Sequence, residues 1–600
     1  MRISADPIAI TGSGIISAIG TDMSATLTAL RHGESGIGRL RYLETSHREL
    51  PCGEVKMSNE ELRTLLHVTD ATCSRTVLLG LWALRQAIAD AHLKECDSEG
   101  RRVVLISGTT VGGMDMTERY FPSMVRDGSH IDCLRHHDAG SSTMQMASYL
   151  PLVSESTTIS TACSSAANAM ILGARLLVSG EADVVLAGGS EALTRFHLNG
   201  FHSLMVTDTV PCRPFDAHRG GLNLGEGAAY VVMERSSDAC RRGVTVQAIL
   251  SGWGNACDAY HQTATSDDGE GPYLAMREAL KRAHLDATDI DYVNAHGTST
   301  ENNDQTESRA LQRVFGEQVP PVSSTKGFTG HTTSASGSIE AVISLLAMRH
   351  GFLPANIGWS EKMAGGIEPT MGGDAVLRHV MCNAFGFGGN DTSLILSTPE
   401  PEETGKTSET VKTGETGISG KPGEILVAAR VEMADGDDLS ELRRFVGVMQ
   451  IRRMDPLLRR SLLASLLALE RAGISTPDAI VTGTALGCLE NSEQLLRQIE
   501  EEKEQSVKPT LFMQSTHNTI GSMVAIHTHC HGYNATYTHG SESMQWALRD
   551  ARQLLESGAC RSVLVGCHDQ STALYRELMT RAGGWVPENR SIAIVLTCGD

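Results

Sequence analysis

Three separated segments carry groups able to do covalent chemistry: Ser160-Thr161-Ala162-Cys163-Ser164-Ser165-Ala166, Asn294-Ala295-His296-Gly297-Thr298-Ser299-Thr300 and Lys326-Gly327-Phe328-Thr329-Gly330-His331. A thiol and two imidazoles, each among glycines or small hydroxyl residues, are what acyl transfer needs. The sulfur of Cys163 can hold an acyl group as a thioester, and His296 and His331 can stabilise or shuttle the charge that develops. Singly, each has a plainer reading: a lone cysteine is usually a buried apolar side chain, and a lone histidine a structural hydrogen-bond donor. Together they favour chemistry. Cys163 follows a β-branched run, Thr157-Thr158-Ile159-Ser160-Thr161, and opens a helical stretch. The positive end of that helix is expected to favour thiolate and lower the thiol pKa. Ala162, Ser164 and Ser165 leave room for an incoming thioester, and the glycines beside His296 and His331 let backbone approach a ligand closely.

Alternating strands and helices must position these groups. Residues 7–16 read as a buried strand running into a glycine turn, and Val103-Val104-Leu105-Ile106 as a second strand. Ala166 to Ser179 has helical periodicity ending at Gly180, and Asp183 to Ala187 is a buried strand closed by Gly188-Gly189. The pattern predicts a layered α/β core over residues 1–398. Residues 399–424 are rich in Thr, Glu, Gly, Lys, Ser and Pro and cannot bury a core, so they read as a flexible linker. From Ile425 the pattern begins again. Leu176-Leu177-Val178-Ser179-Gly180 reappears as Leu554-Leu555-Glu556-Ser557-Gly558, and Val184-Val185-Leu186-Ala187-Gly188 as Ser562-Val563-Leu564-Val565-Gly566. The same offset maps Cys163 onto Ser541. Residues 425–600 therefore resemble a first lobe (1–250) without the second (251–398), and with serine in place of the thiol an independent site there is not expected.

Composition narrows the function classes. A net charge of −20 argues against a general nucleic-acid or anionic-membrane binder. No apolar run reaches the ~18 residues of a membrane span, and residues 7–16 lack the basic flank of a secretory signal. The fourteen cysteines never form Cys-x-x-Cys, so neither a disulfide framework nor a zinc site is expected and a reducing, cytoplasmic setting is. His517, His527, His529 and His531 could suggest a metal, but His527 and His529 would point to different sides of a helix, and no cysteine pattern completes a tetrahedral site.

The three chemical segments resemble the active-site motifs of the elongating β-ketoacyl-acyl carrier protein synthases, condensing enzymes of the thiolase superfamily, over roughly residues 1–398. The resemblance implies a five-layer αβαβα thiolase-like fold followed by a C-terminal half-thiolase lobe. It implies decarboxylative Claisen condensation of an acyl thioester with malonyl-acyl carrier protein. No cofactor of its own is implied, the substrates riding on the phosphopantetheine of acyl carrier protein. Cys163 is then the acyl acceptor, His296 and His331 the decarboxylation pair, Lys326 the lysine that supports them, and Glu340 its companion carboxylate. Asn383-Ala384-Phe385-Gly386-Phe387-Gly388-Gly389 resembles the gating segment, which gives an oxyanion hole from the amides of Cys163 and Phe387; the family continues with Thr-Asn where this chain has Asn390-Asp391. Thr298 and Thr300 resemble the hydroxyls that bind the pantetheine arm. Initiating synthases carry His and Asn and degradative thiolases a second cysteine, so a thiolase is a remote alternative.

The second copy resembles a chain-length factor, the inactive partner of polyketide ketosynthases, and single-lobe versions of it accompany ketosynthases of aryl-polyene pathways. The resemblance implies a pseudo-dimer between the two copies, paired through Thr536-Tyr537-Thr538 and the strand before Cys163; a homodimer of whole chains is a further arrangement it allows. Leu511, Phe512 and Met513 are then candidates for the end of the acyl tunnel, with core packing as the plain alternative. Ile451-Arg452-Arg453-Met454-Asp455, with Arg459-Arg460 a turn or two onward, resembles the basic run that holds acyl carrier protein. Competing readings make the half-lobe a scaffold or chaperone module, or a decaying duplicate on a housekeeping fatty-acid synthase.

Overall fold

A computed structural model describes residues 6–399 and 424–599, so the expected linker lies almost wholly outside the described residues. The first lobe supplies β1 (Ile8–Ser17), β2 (Val103–Gly108), β3 (Glu155–Ile159), β4 (Val184–Glu191) and β5 (Gly227–Arg235). The second supplies β6 (Ala248–Cys257), β7 (Tyr292–Asn294), β8 (Val322–Ser323), β11 (His379–Gly386) and β12 (Asn390–Ser397), with a small hairpin of β9 (Phe352–Leu353) and β10 (Gly373–Asp374). The second copy adds β13 (Ile425–Ala434), β14 (Ala479–Gly483), β15 (Tyr533–Tyr537), β16 (Ser562–Asp569) and β17 (Arg590–Cys598). Fifteen strands join in the order β13-β17-β16-β14-β15-β3-β2-β4-β5-β1-β6-β12-β11-β7-β8.

Two helices form the middle layer. Ser165–Val178 is buried except at Arg175 and Val178, and Ser336–His350 is buried along all but its last turn. Buried on nearly every side and mostly apolar, they share one core with residues of β4, β5, β11 and β12. Arg75–Asp90 covers β1 and β5 from outside, and Glu270–Ala283 covers β6 and β12. The layers run αβαβα, as expected. The glycines expected to end strands do not: Gly188 and Gly189 lie inside β4, and β1 continues through Gly12 and Gly14 to Ser17. Close packing is the reason. A Cβ on Gly188 would come within 2.0 Å of the Ala229 carbonyl oxygen, and one on Gly189 within 2.8 Å of the Ala166 methyl.

The repeat is structural. The offset that aligns the sequences carries β3 onto β15, the helix Ser165–Val178 onto Ser543–Glu556, and β4 onto β16. In the first lobe β1 pairs with both β5 and β6; its counterpart β13 pairs with β17 alone and ends the sheet.

The copies meet where β15 lies antiparallel to β3, with Tyr537 opposite Ile159. The Ser160 amide donates to the Thr536 carbonyl at 2.9 Å, and the Thr538 amide to the Thr158 carbonyl at 3.0 Å. Flanking contacts widen the junction. Asn255 and Asn390 side-chain amides donate to the Asn534 carbonyl, and Arg549 pairs with Glu155 and Glu181 at 2.7 Å each. Arg195 reaches Glu500 at 2.5 Å and Glu504 at 3.1 Å. Arg175, from the middle layer, pairs with the fully buried Asp550 at 2.5 Å, and Asp550 also accepts the Tyr533 hydroxyl at 2.9 Å.

That last pair gives a stability prediction. Asp550→Ala strands the Arg175 guanidinium in the interface, and breaking such a buried pair costs about 3 kcal/mol. Urea unfolding should show the second copy released at lower denaturant than in the parent. Equal midpoints would mean that solvent already compensates Arg175.

Candidate active site

Cys163 sits where β3 turns into the middle-layer helix. Ala162 takes φ +52°, unusual for a residue with a Cβ, and the turn Ala162–Ser164 points the thiol at the second lobe. The neighbouring hydroxyls lock this elbow. Ser164 Oγ donates to the Thr161 carbonyl at 2.8 Å, Ser165 Oγ donates to the Ala162 carbonyl at 2.6 Å, and the Thr161 amide donates back to Ser165 Oγ at 2.9 Å.

The histidine segments arrive from the other lobe. His331 Nε2 lies 3.1 Å from Cys163 Sγ, and His331 Nδ1 lies 3.1 Å from Ser336 Oγ. The His296 ring stands nearly perpendicular to it at 5.3 Å. Lys326 is buried between them and Glu340: its ammonium donates to the His296 carbonyl at 2.5 Å, approaches His296 Nδ1 at 3.3 Å and pairs with the Glu340 carboxylate. An ammonium offered to Nδ1 occupies that lone pair, so His296 carries its own proton on Nε2. Burial, reinforced by the Lys326 charge, holds both histidines neutral, well below the ordinary imidazole range. Burial also pushes Glu340 up to about 7, against the pull of Lys326.

The thiol differs from expectation. Burial pushes Cys163 up to about 12, outweighing Lys326 and the Phe387 backbone N–H, both of which favour thiolate. The sequence shows the helix that follows Cys163 but not its depth: only 4% of the residue is exposed. The resting site therefore holds a thiol, with His331 Nε2 in reach as acceptor.

The Phe387 amide faces that sulfur, and a Cβ on Gly386 would lie 3.2 Å from the Cys163 amide nitrogen, so the two segments abut through backbone. The second copy holds this loop. Asn518 Nδ2 donates to the Phe387 carbonyl at 2.8 Å and to Asn390 Oδ1 at 2.6 Å, while a Cβ on Gly388 would strike Ser522 Oγ. Sequence reasoning missed Asn518, for which no local motif exists; the departure to Asn390 was its one signal, since among the described residues that side-chain amide bonds only second-copy groups, Asn518 and the Asn534 carbonyl.

Phe512 is the second point of entry. Its ring lies 5.1 Å from Phe201, which lies 5.5 Å from Phe387 and 6.5 Å from His331. Leu511 is buried in the same cluster, whereas Met513 is half-buried and outside it. Thr298 and Thr300 hydroxyls bond each other at 2.9 Å.

The arginines divide. Arg452 and Arg453 are exposed at the end of the helix Val448–Arg453, and Gln514 ties the Arg453 carbonyl to the segment bearing Phe512. Arg459 is half-buried and caps the Met454 carbonyl at 3.0 Å. Arg460 cannot meet a partner. It is 3% exposed on the inner face of the helix Pro456–Ala472 and donates to Ser591 Oγ at 3.2 Å and the Asp569 carbonyl at 2.8 Å.

The second copy keeps the elbow, with Gly540 at φ +53°, but Ser541 is exposed to solvent. Its histidines disperse: His517 Nδ1 bonds Ser160 Oγ at 2.9 Å and His531 Nδ1 bonds the Cys257 carbonyl at 3.0 Å. Among the described residues the one convergent group of possible metal ligands is Cys163, His296 and His331, within 4.8 Å of one another. The Lys326 ammonium beside His296 opposes a second cation there. No helix among the described residues is long and apolar enough to cross a membrane.

The chain is similar to known proteins along nearly its whole length. The β-ketoacyl synthase N-terminal domain family matches residues 5–239, the C-terminal domain family residues 247–360, and a second N-terminal domain family residues 429–600. The 3-oxoacyl-[acyl-carrier-protein] synthase 2 of Vibrio harveyi is 30% identical over 417 residues, 65% of this chain and 97% of that protein. The solved ishigamide ketosynthase/chain length factor is 31% identical with a TM-score of 0.62, covering 66% of this chain and 99% of that one. The PfaC keto synthase-chain length factor shares the fold across both copies: TM-score 0.79 and 18% identity, over 99% of this chain and 78% of that one.

The protonation states fix a pH profile. A thiol held up to about 12 offers little thiolate at neutrality, so alkylation of Cys163 by iodoacetamide should climb steadily from about pH 6 to pH 10. Imidazoles held below their ordinary range add no protonation step in that window. A rate that levels off near neutrality would instead reveal a thiolate–imidazolium pair.

Proposed function

The chain belongs to the β-ketoacyl synthase family and is an acyl-transferring condensing enzyme of fatty-acid or polyketide biosynthesis, and we propose that Cys163, His296 and His331 carry out its condensation. The convergence of these three groups beside the buried Lys326–Glu340 pair carries the assignment. In the first half-reaction Cys163 Sγ attacks the acyl thioester carbonyl as its proton passes to His331 Nε2. The carbonyl oxygen takes up negative charge against the amides of Cys163 and Phe387, each such donor being worth about 3 kcal/mol. The carbon–sulfur bond to pantetheine breaks, and the departing thiolate recovers the proton from His331.

In the second half-reaction malonyl-acyl carrier protein loses carbon dioxide. The electrons of the broken carbon–carbon bond move onto the thioester oxygen as an enolate. His296 donates to it from Nε2; Ser336 Oγ, able to donate as well as accept, permits the His331 tautomer that does the same. The enolate carbon then attacks the Cys163 thioester, breaking the carbon–sulfur bond, and the expelled sulfur takes the proton of His331 Nε2 at 3.1 Å, which solvent replaces. Thr298 and Thr300 present their hydroxyls to the pantetheine arm. The cysteines, all free among the described residues, favour a cytoplasmic enzyme.

We assign the second copy a chain-length-factor role as pseudo-dimer partner, in polyketide (including aryl-polyene) or fatty-acid biosynthesis. The β15–β3 pairing, the Asn518 grip on the gate and the Phe512 ring against Phe201 support it over a bare scaffold. Acidic acyl carrier protein docks on Arg452 and Arg453, the charges left free to steer it.

Mass spectrometry after incubation with acyl-acyl carrier protein tests the chemistry. An acyl adduct should sit on Cys163 and vanish in Cys163→Ala; His296→Ala should still acylate but not condense, and His296→Ala with His331→Ala should acylate slowly and not condense. An adduct elsewhere, or condensation in the double variant, would reject these roles. Arg452→Glu with Arg453→Glu should slow loading about tenfold from carrier protein but not from a small pantetheine thioester; equal loss with both donors removes the docking role. Phe512→Ala should lengthen the products, and an unchanged distribution from a folded variant would return Phe512 to ordinary packing.

A further inference from the structure

The turn that carries Phe387 is fastened from within the first copy as well as by Asn518. Asp258, just past the end of β6, donates its backbone amide to the Gly389 carbonyl at 2.9 Å, and the Gly386 amide faces the carboxyl of Asp391. The two ends of the turn thus hang on two acidic residues, each 2% exposed. The Asp258 carboxylate is well supplied with donors. Ser266 gives it an amide and a hydroxyl at 2.7 Å each, and Gly271 an amide at 2.9 Å. Asp391 is not so supplied: among the described residues nothing donates to its Oδ2.

The two carboxyl groups are close. A Cβ on Gly271 would lie 2.1 Å from Asp391 Oδ2 and 2.8 Å from Asp258 Cβ, so the groups meet over that glycine of the helix Glu270–Ala283. From β11 and β6 the cross-strand neighbours of Asp391 are apolar, Phe385 and Ala256. The charged groups that face it are Asp258 and, from the helix Glu301–Phe315, Glu307, whose carboxylate receives the His296 and Gly297 amides at 2.8 and 2.7 Å. Both are acids.

Two buried carboxylates at such range repel, and one that lacks donors is costly to ionise. Burial, with the charges of Asp258 and Glu307 added, holds the Asp391 carboxyl well above the ordinary carboxylate range. The neutral acid resolves the crowding. Its carbonyl oxygen accepts from Gly386, its hydroxyl needs no donor, and the Asp258 carboxylate keeps lone-pair capacity for the proton. We propose that Asp391 is a positioning residue, present as the neutral acid, which lets two carboxyl groups fasten the Gly386–Gly389 turn and so aims the Phe387 amide at the acyl oxygen. Ionisation sets a second negative charge against Asp258, drives the two attachments apart and takes that donor off its line. The proposal rests on the acyl-transfer reading of Cys163 and Phe387, and it adds a residue that touches neither the thiol nor a histidine.

The test compares the full parent chain with Asp391→Asn, which keeps the shape, one donor and one acceptor but cannot ionise. Cys163 acylation from a small pantetheine thioester and Cys163 alkylation by iodoacetamide are followed from about pH 6 to pH 10. Relative to the variant, acylation of the parent should fall about tenfold across that range, less than the full worth of one oxyanion donor. Glu307, pushed up to about 7 by burial, titrates in both proteins and cancels in the ratio. Alkylation needs no oxyanion hole, so its ratio should stay constant. The infrared difference between parent and variant at neutral pH should carry the carbonyl stretch of a protonated carboxylic acid. The folded parent also holds a proton that its unfolded chain releases, so its melting temperature should drop relative to the variant as pH rises above the ordinary carboxylate range. A constant acylation ratio, an alkylation ratio that falls with it, a missing carbonyl band or a constant melting difference would each overturn the proposal. A parent that leaves Cys163 unacylated at every pH would instead overturn the acyl-transfer reading, so the two failures are told apart.

Discussion

The pairing of β15 with β3 is the constraint on which the site depends. β3 is the strand that ends in the nucleophile elbow, and the Ser160 amide, three residues from Cys163, is satisfied by a carbonyl of the second copy. Unpaired, β3 would be an open sheet edge whose last residues also hold Ala162 at φ +52°. Pairing fixes the edge, and the edge fixes the elbow. From that junction two further contacts reach inward, Asn518 to the Phe387 carbonyl and Phe512 to Phe201, so the loop over the thiol and the wall behind it both rest on residues beyond Ile425.

The chemistry follows from how the second lobe is buried. Putting Lys326 between His296 and Glu340 sets one tautomer, keeps the imidazoles neutral and spends the lysine's donors on fixed acceptors. The same depth keeps Cys163 protonated. A site that excludes water stabilises a free thiolate poorly, and the acceptor nearest the sulfur is His331 Nε2, 3.1 Å away.

The sequence made the chemical segments and the layers legible because both are local: a thiol after a β-branched run, glycines beside histidines, apolar runs at strand spacing. The repeat was legible for the same reason, down to the elbow at Gly540. What depended on depth was not. The thiol pKa and the fate of Arg460 turn on burial, which adjacent arginines cannot reveal: Arg459 and Arg460 differ by one helical step, and one lies on the surface side while the other points into the core. Gly188 and Gly189 read as a turn because glycine usually punctuates, yet here they admit a neighbouring strand and helix. Asn518 is legible only from its partner, since an asparagine that bonds a carbonyl more than a hundred residues away leaves no trace in its own neighbourhood.

The two equivalent helices carry a different kind of information. Ser165–Val178 is buried on nearly every side because a second lobe covers it; Ser543–Glu556 leaves Gln545, Arg552 and Glu556 exposed on the face where that lobe would lie. The half-copy is therefore finished as a surface on that side and as an interface on the other, where Asp550 meets Arg175. Covalent linkage makes its encounter with the first copy intramolecular. A stand-alone inactive partner must be synthesised in proportion to its enzyme and must outcompete enzyme–enzyme pairing. In this chain the two copies are made in equal number at translation, at any level of expression.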